Sequence, residues 1–164
     1  MKQKTNSMRF LESQRVAYRT HEFSPEIRSA ADLATALGVP AAQVFKTLVV
    51  LRERGRPLLV MIPGDRSLNL KALAKAVGEK KLSMAAHREA EALTGLEVGG
   101  ISALALMHKG FQVYADKGML DFPEVYVSAG TRGTNLGLSP QDLIRVTRAR
   151  VVEVAELQGD EAVA

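Results

Sequence analysis

Val44-Phe45-Lys46-Thr47-Leu48-Val49-Val50-Leu51 sets one lysine in an aliphatic, β-branched run, and together with residues 52–62 this stretch determines the class of fold. Such residues suit a pleated, half-buried strand, which we place at 47–51. The polar residues 52–56 turn around Gly55, and a second apolar run occupies 58–62. Two apolar runs separated by a short polar turn read as a β-hairpin. A hairpin pairs its strands antiparallel, so the chain is not a plain succession of strand–helix crossovers.

On the N-terminal side, residues 6–13 start at a candidate N-cap, Asn6, and place Met8 and Leu11 on one helical face. Val16, Tyr18 and Thr20 then alternate as in a strand. Ser29 followed by Asp32 fits a capping box, Leu33 and Leu37 repeat at four residues, and Gly38 stands where a helix end adopts positive φ. Pro40 opens a short helical turn before the hairpin. Beyond the hairpin, Asn69 caps a helix carrying Leu70, Leu73 and Val77 and stopped by Gly78; 82–84 is extended, and 86–93 forms a helix ending at Gly95. Residues 111–115 and 125–128 read as strands, and Leu136 with Leu138 as another extended piece. Ser139-Pro140 starts a helix with serine at the N-cap and proline at the first helical position, and 151–157 closes as strand or helix. This interleaving predicts an α+β fold: a curled, mixed β-sheet, partly closed into a barrel, surrounded by helices. With no internal repeat and no linker-like tract, residues 1–164 read as one domain.

A chain of 164 residues can build one hydrophobic core without staples. The sequence has no cysteine, which excludes disulfides, a cysteine nucleophile, thiolate zinc and iron–sulfur clusters. His21, His87 and His108 lack the spacing of a helical metal pair, so no metal is expected. A GxSxG elbow is missing, and no glycine-rich loop precedes Lys46-Thr47, so serine-hydrolase and P-loop chemistry drop out. No cofactor is expected. No apolar run approaches the roughly 20 residues that cross a bilayer, and the N-terminal segment lacks a signal peptide's apolar core. We therefore expect a soluble, cytoplasmic protein. Its formal charge of +4 and pI near 9.5 permit an RNA or phosphate partner without requiring one.

Three features can carry chemistry. Lys46 puts an ammonium against an apolar strand; it is either a snorkelling lysine with its stem on apolar surface or an anchor for phosphate or carbonyl oxygen. Val98-Gly99-Gly100-Ile101-Ser102 is either a simple turn or a close backbone approach that offers N–H groups to an ester or oxyanion. Tyr126-Val127-Ser128-Ala129-Gly130-Thr131-Arg132-Gly133-Thr134-Asn135 is either a strand ending in a loop or a glycine-rich rim presenting Ser128, Arg132 and Asn135 to a ligand.

The order of these features resembles the YbaK/EbsC family, the freestanding aminoacyl-tRNA deacylases related to the editing insertion of bacterial prolyl-tRNA synthetase. The resemblance covers nearly the whole chain. It is carried by Leu37-Gly38-Val39-Pro40 leading to Val44-Phe45-Lys46-Thr47-Leu48-Val49, by Leu70-Lys71-Ala72-Leu73-Ala74-Lys75-Ala76-Val77-Gly78 with Lys80-Lys81, by Val98 to Ser102, and by Val125-Tyr126-Val127-Ser128-Ala129-Gly130 with Arg132-Gly133. It implies a pocket for the aminoacylated 3′ end of a tRNA and cleavage of the ester. Lys46 matches the family's functional lysine and Gly100 its close backbone contact, so both are candidate catalytic positions. Candidate substrate-binding positions are Phe23, Ser29, Thr47, Gly99 and Ile101, together with Ser102, Ser128, Gly130, Arg132 and Asn135.

In cysteine-specific relatives the substrate thiol attacks its own ester, helped by high effective molarity; for other small amino acids a held water would attack. Both routes stay open here. Ala103 and Ala105 stand where relatives commonly have proline and glycine, Phe23 where cysteine-specific members can have tyrosine, and Asn135 where they have aspartate. These departures weaken cysteine specificity more than the ester-cleaving scaffold. The resemblance points to mischarged tRNA(Pro) bearing cysteine or another small amino acid, with prolyl-tRNA synthetase a candidate partner. Lys71, Lys75, Lys80, Lys81 and Arg132 are either phosphate contacts or solvated faces. The alternative is a noncatalytic module that binds tRNA ends or a synthetase.

Overall fold

The computed structural model describes residues 4–27 and 29–158. Helix α1 (Asn6–Ser13) is capped by Thr5, whose hydroxyl accepts from the Met8 N–H at 3.3 Å; the expected cap, Asn6, instead accepts from Arg9 Nη1 at 3.2 Å. Strand β1 (Arg19–Glu22) begins later than the alternation at 16–20 suggested. The cause is local: the Val16 N–H closes back on the Leu11 carbonyl at 3.0 Å and Arg15 turns through φ 58°, so the chain is still leaving the helix.

The other helices start and stop where their capping chemistry dictates. Ser29 caps α2 (Ala30–Leu37), Asn69 caps α3 (Leu70–Val77) and Ser139 caps α5 (Pro140–Thr147), each accepting from a backbone N–H three residues on. Helix α4 (His87–Thr94) has no side-chain cap, and Gly38, Gly78 and Gly95 end α2, α3 and α4 in the left-handed region.

The hairpin forms as read: β2 (Phe45–Arg52) pairs antiparallel with β3 (Leu58–Pro63), Lys46 opposite Ile62. A short β4 (Arg66–Leu68) follows, then β5 (Leu82–Met84), β6 (Gln112–Asp116), β7 (Val125–Ser128), β8 (Thr134–Leu138), β9 (Arg150–Val152) and β10 (Ala155–Leu157). The central sheet has the order β5-β2-β3-β6-β9, with β3–β6 and β6–β9 parallel and the rest antiparallel. A second sheet, β1-β8-β7, is antiparallel, and β10 pairs with β4. The fold is thus mixed α+β, but none of these sheets closes on itself, so the expected partial barrel is not found. One bridge, Val44 to Tyr126, joins the two larger sheets.

Side-chain alternation sorts the core. Phe45, Val49, Leu59, Met61, Val113 and Ala115 bury one face of the central sheet in a large cluster with Val125, Val127, Leu136 and Leu138 of the second sheet. The opposite face, Val50, Leu58, Val60 and Ile62, packs under Leu73 of α3. Leu73 is wholly buried, which is worth about 1.5–3 kcal/mol for one such side chain. Leu33 and Ala34 of α2 cover Val44 and Tyr126 at the junction of the sheets. Asp116 fixes the chain end: its carboxylate accepts from Val154 N at 2.8 Å, Ala155 N at 2.9 Å and Gly118 N at 2.9 Å.

Candidate functional site

The Val44–Tyr126 bridge is parallel, so counting two residues along both strands brings Lys46 level with Ser128, on the same face. The antiparallel register extends the row, because Ser128 lies opposite Asn135 and Asn135 opposite His21. Ser128, Asn135 and His21 therefore share one row, and Lys46, two residues past the bridge, lies on the same face, the face that carries α2 at the bridge. Past the bridge, that edge of β2 is next paired where Val50 meets Met84 of β5. Between these pairings β2 has no strand beside it among the described residues, and the gap opens at Lys46.

Lys46 Nζ donates to the Gly64 carbonyl at 3.4 Å, and Gly64 N–H donates to the Val44 carbonyl at 2.6 Å. Gly64 must be a glycine for steric reasons: a Cβ there would lie 2.2 Å from Ala30 Cβ and 3.0 Å from the Val44 oxygen. The turn after β3 thus packs directly on the first turn of α2 and aims its carbonyl at the ammonium. Local sequence gives no sign of Gly64, because its constraint comes from a residue 34 positions away.

The two glycine loops meet. A Cβ on Gly100 would lie 3.0 Å from Arg132 N and 3.1 Å from Thr131 C, and one on Gly130 would lie 3.0 Å from Ala105 Cβ. Gly99 has φ +96°, and a side chain there would meet Arg132 Nε at 3.3 Å. Arg132 lies beside this loop, with Nη1 3.9 Å from the Glu97 carboxylate. Only Gly99 of the pair needs positive φ. Of the amide donors expected in the 98–102 loop, that of Gly100 is engaged, donating to Glu97 O at 2.8 Å, and in the facing loop Gly130 N–H donates to Ser128 Oγ at 3.0 Å. Gly100 contributes closeness rather than a free donor. Accepting there leaves the Ser128 hydroxyl its own hydrogen to donate.

The remaining candidates separate by role. Phe23 N–H donates to Gly133 O at 2.9 Å and its ring packs with the α2 cluster, on the Lys46 side. Ser29 Oγ is occupied as a cap, accepting from Asp32 N at 3.0 Å. Ile101 and Ser102 are buried, and Ser102 Oγ accepts from Ala105 N at 3.3 Å. Thr47 shares the face of Phe45 and Val49, opposite to that of Lys46. Lys71, Lys75, Lys80 and Lys81 are exposed on and just beyond α3.

Two polar atoms in the row are buried without a partner, His21 Nε2 and Asn135 Oδ1. Leaving a buried acceptor or donor unmet costs about 1–3 kcal/mol, and such groups gather where a ligand completes them. One row away, Glu124 accepts from Arg19 Nε at 2.9 Å and from the Tyr126 hydroxyl at 2.9 Å, while Arg19 Nη2 also pairs with it. The Arg19 hydrogen bond holds the Glu124 carboxyl below its ordinary range; burial, then the Glu124 contact, pushes the Tyr126 phenol up. The His21 ring stands edge-on to Tyr126 at 5.4 Å, so this ion-paired network buttresses the row. Gly137 makes room for it, since a Cβ there would lie 2.9 Å from Glu124 Oε2. Among the described residues no group of three His, Cys, Asp or Glu side chains is placed to hold a metal ion, and no helix is long and apolar enough to cross a membrane.

Comparison with known proteins gives the family. The aminoacyl-tRNA editing domain family matches residues 24–146. EbsC of Enterococcus faecalis, named as a Cys-tRNA(Pro)/Cys-tRNA(Cys) deacylase, is 38% identical over 154 residues, 93% of each chain. Proline–tRNA ligase of Thermodesulfovibrio yellowstonii is 38% identical over 77 residues, 47% of this chain and 13% of the ligase. A solved structure described as a trans-editing enzyme for prolyl-tRNA synthetase superimposes with a TM-score of 0.81 at 27% identity, covering 94% of this chain and 99% of that one. With the matched segment running from Ser24 through most of α5, the chain belongs to the aminoacyl-tRNA editing domain family.

Proposed function

We propose that the protein is a trans-acting deacylase that cleaves the ester of a mischarged aminoacyl-tRNA, with cysteine or another small amino acid on tRNA(Pro) as the substrate. The observation that carries this reading is the row Ser128, Asn135 and His21 with Lys46 on the same face at a gap between two sheets, in a chain of the editing family. The Lys46 ammonium supplies positive field and donors for the terminal phosphate or the ester carbonyl, where charge develops on attack. Asn135 Oδ1 and His21 Nε2 offer unmet polar atoms to the amino-acid end, and the Ser128 hydroxyl donates beside them.

Cleavage adds a nucleophile to the ester carbonyl and expels the ribose hydroxyl. With a cysteinyl ester the substrate thiol gives its proton to solvent or to a nearby base, and the thiolate attacks the carbonyl of the same molecule, forming a cyclic thiolactone as the C–O bond breaks and the ribose oxygen takes up a proton; otherwise water is added across the acyl–oxygen bond, leaving free amino acid and tRNA. Positioning alone contributes greatly for an activated ester, since effective molarities reach about 10⁵–10⁸ M. The whole of residues 1–164 serves as one editing unit in this reading, with Lys46 and Gly100 as its central positions. Purified protein is tested on a panel of tRNAs charged with cysteine, alanine, serine and proline. Turnover of a mischarged tRNA(Pro) with sparing of Pro-tRNA(Pro) is the expected result. Binding of every tRNA without turnover of any would instead make it a noncatalytic module for tRNA ends or a synthetase.

A further inference from the structure

A groove of about 910 Å³ opens at the other end of the central sheet, lined among others by Phe10, Phe111, Gln112, Arg145, Arg148 and Arg150. It shares no residue with the row at Lys46. Along the register, Arg150 pairs with Tyr114, Tyr114 with Val60 and Val60 with Leu48, two residues from Lys46, so Arg150 is offset by about 7 Å along the strands and by three strand spacings, about 14 Å, across them.

None of the residues lining the groove is a carboxylate. Asp142 holds Arg145 from the side at 3.1 Å, but Arg148 and Arg150 are exposed and have no ion pair among the described residues. Arg148 is also the residue that ends α5, in the left-handed conformation at φ 57°. Helices α2, α3 and α4 end in that conformation on glycine, which adopts it freely. At α5 a strained cation stands in place of the unstrained residue, beside a groove that is cationic already. Two partly buried phenylalanines, Phe10 and Phe111, add flat apolar surface next to these cations. Guanidinium groups for phosphate oxygens beside aromatic surface for bases is the chemistry of a single-stranded nucleic-acid path.

We infer that this groove is a second RNA-binding site, in which Arg148 and Arg150 hold backbone phosphates of the same RNA whose end reaches Lys46. The two offsets combine to about 16 Å between the Lys46 and Arg150 positions, about five stacked nucleotide steps. The inference rests on the proposed function only in taking that RNA to be a tRNA. A purely structural Arg148 would stabilise α5 through its C-terminal dipole and leave RNA binding alone.

The test uses the full chain and the double variant Arg148→Asn/Arg150→Gln, because asparagine tolerates the left-handed turn. Labelled, uncharged tRNA(Pro) is titrated by fluorescence anisotropy over a salt series, with thermal melts as the folding check. Two lost single-strand phosphate contacts should lower the magnitude of the log–log salt slope by about 1.4 and weaken binding, with melting little changed. Arg54→Gln/Arg88→Gln, two exposed cations that do not line the groove, serves as a charge-matched control. An unchanged slope in the double variant, the same loss in the control, or no RNA binding by the wild type overturns the inference. So does displacement of the RNA by micromolar AMP or by inorganic phosphate, which would make the groove a small-anion site. If the double variant unfolds, Arg150→Gln alone decides, with an expected slope change of about 0.7. RNA binding lost in the variant while the wild type cleaves no ester keeps this inference and removes the deacylase reading; cleavage with an unaltered slope does the reverse.

Discussion

Replacing Gly64 by alanine isolates the contact that aims the candidate lysine. The added Cβ would sit 2.2 Å from Ala30 Cβ, where ordinary contact starts at 3.4 Å. Helix α2 and the turn after β3 must therefore separate by about 1.2 Å, or the turn must rotate and carry its carbonyl away from Lys46 Nζ. Overpacking of this kind costs about 1–3 kcal/mol, a fall in Tm of roughly 2–12 °C for a chain of this size. A displacement of 1 Å at a reacting centre can cost about 10²-fold in rate. Thermal denaturation and single-turnover deacylation read the two effects separately. The double variant Gly64→Ala/Ala30→Gly removes the atom that is struck, so it should recover most of the lost stability and rate. A Gly64→Ala protein with wild-type Tm and rate, or one that Ala30→Gly leaves unrescued, would refute the idea that α2 seats this turn.

Neighbouring contacts support further tests. Gly100→Ala pushes against Arg132 N and Thr131 C, so deacylation should drop with a loss of about 1–3 kcal/mol in a urea melt; parity with wild type would mean that the loops are not in contact. Asn135→Leu removes a buried acceptor that has no partner, so stability should hold or rise while activity falls, and a large destabilisation would show that Oδ1 is satisfied within the fold. The Glu124 carboxyl has its folded pKa depressed below the ordinary 4.5, chiefly by Arg19. Its contribution is full above 4.5 and is lost as pH falls through the lower folded value, so Glu124→Gln should flatten the acid side of the stability profile below 4.5. Equal acid slopes for the two proteins would count against it.

Much of this structure is written locally. Ser29, Asn69 and Ser139 start their helices, Gly38, Gly78 and Gly95 stop theirs, and Gly55 turns the hairpin, because caps and turns are settled by a few adjacent groups. The short helical turns Leu104–Lys109 and Lys117–Asp121 escape a sequence reading, having no full period of apolar residues to betray them. Pairing order is also hidden: nothing near Gln112 says that β6 lies parallel between β3 and β9. At the site, residue type picks out Lys46, the glycine loops and Asn135. It cannot put Thr47 and Ser29 elsewhere, Thr47 by strand parity and Ser29 by its cap. His21 looks unremarkable until the register sets it opposite Asn135.

Single-turnover deacylation of mischarged tRNA(Pro) by Lys46→Ala and Lys46→Arg, with thermal melts alongside, bears on the proposed site with the fewest intervening steps. The hydrogen bond from Lys46 Nζ to the Gly64 carbonyl is long, at 3.4 Å, and contributes little by itself, while the melts report whether either variant unfolds. A rate loss of about 10²-fold or more is expected for alanine and partial retention for arginine, which keeps the charge but not the compact ammonium. Wild-type rates in a folded Lys46→Ala protein would contradict the placing of this lysine at the reacting ester.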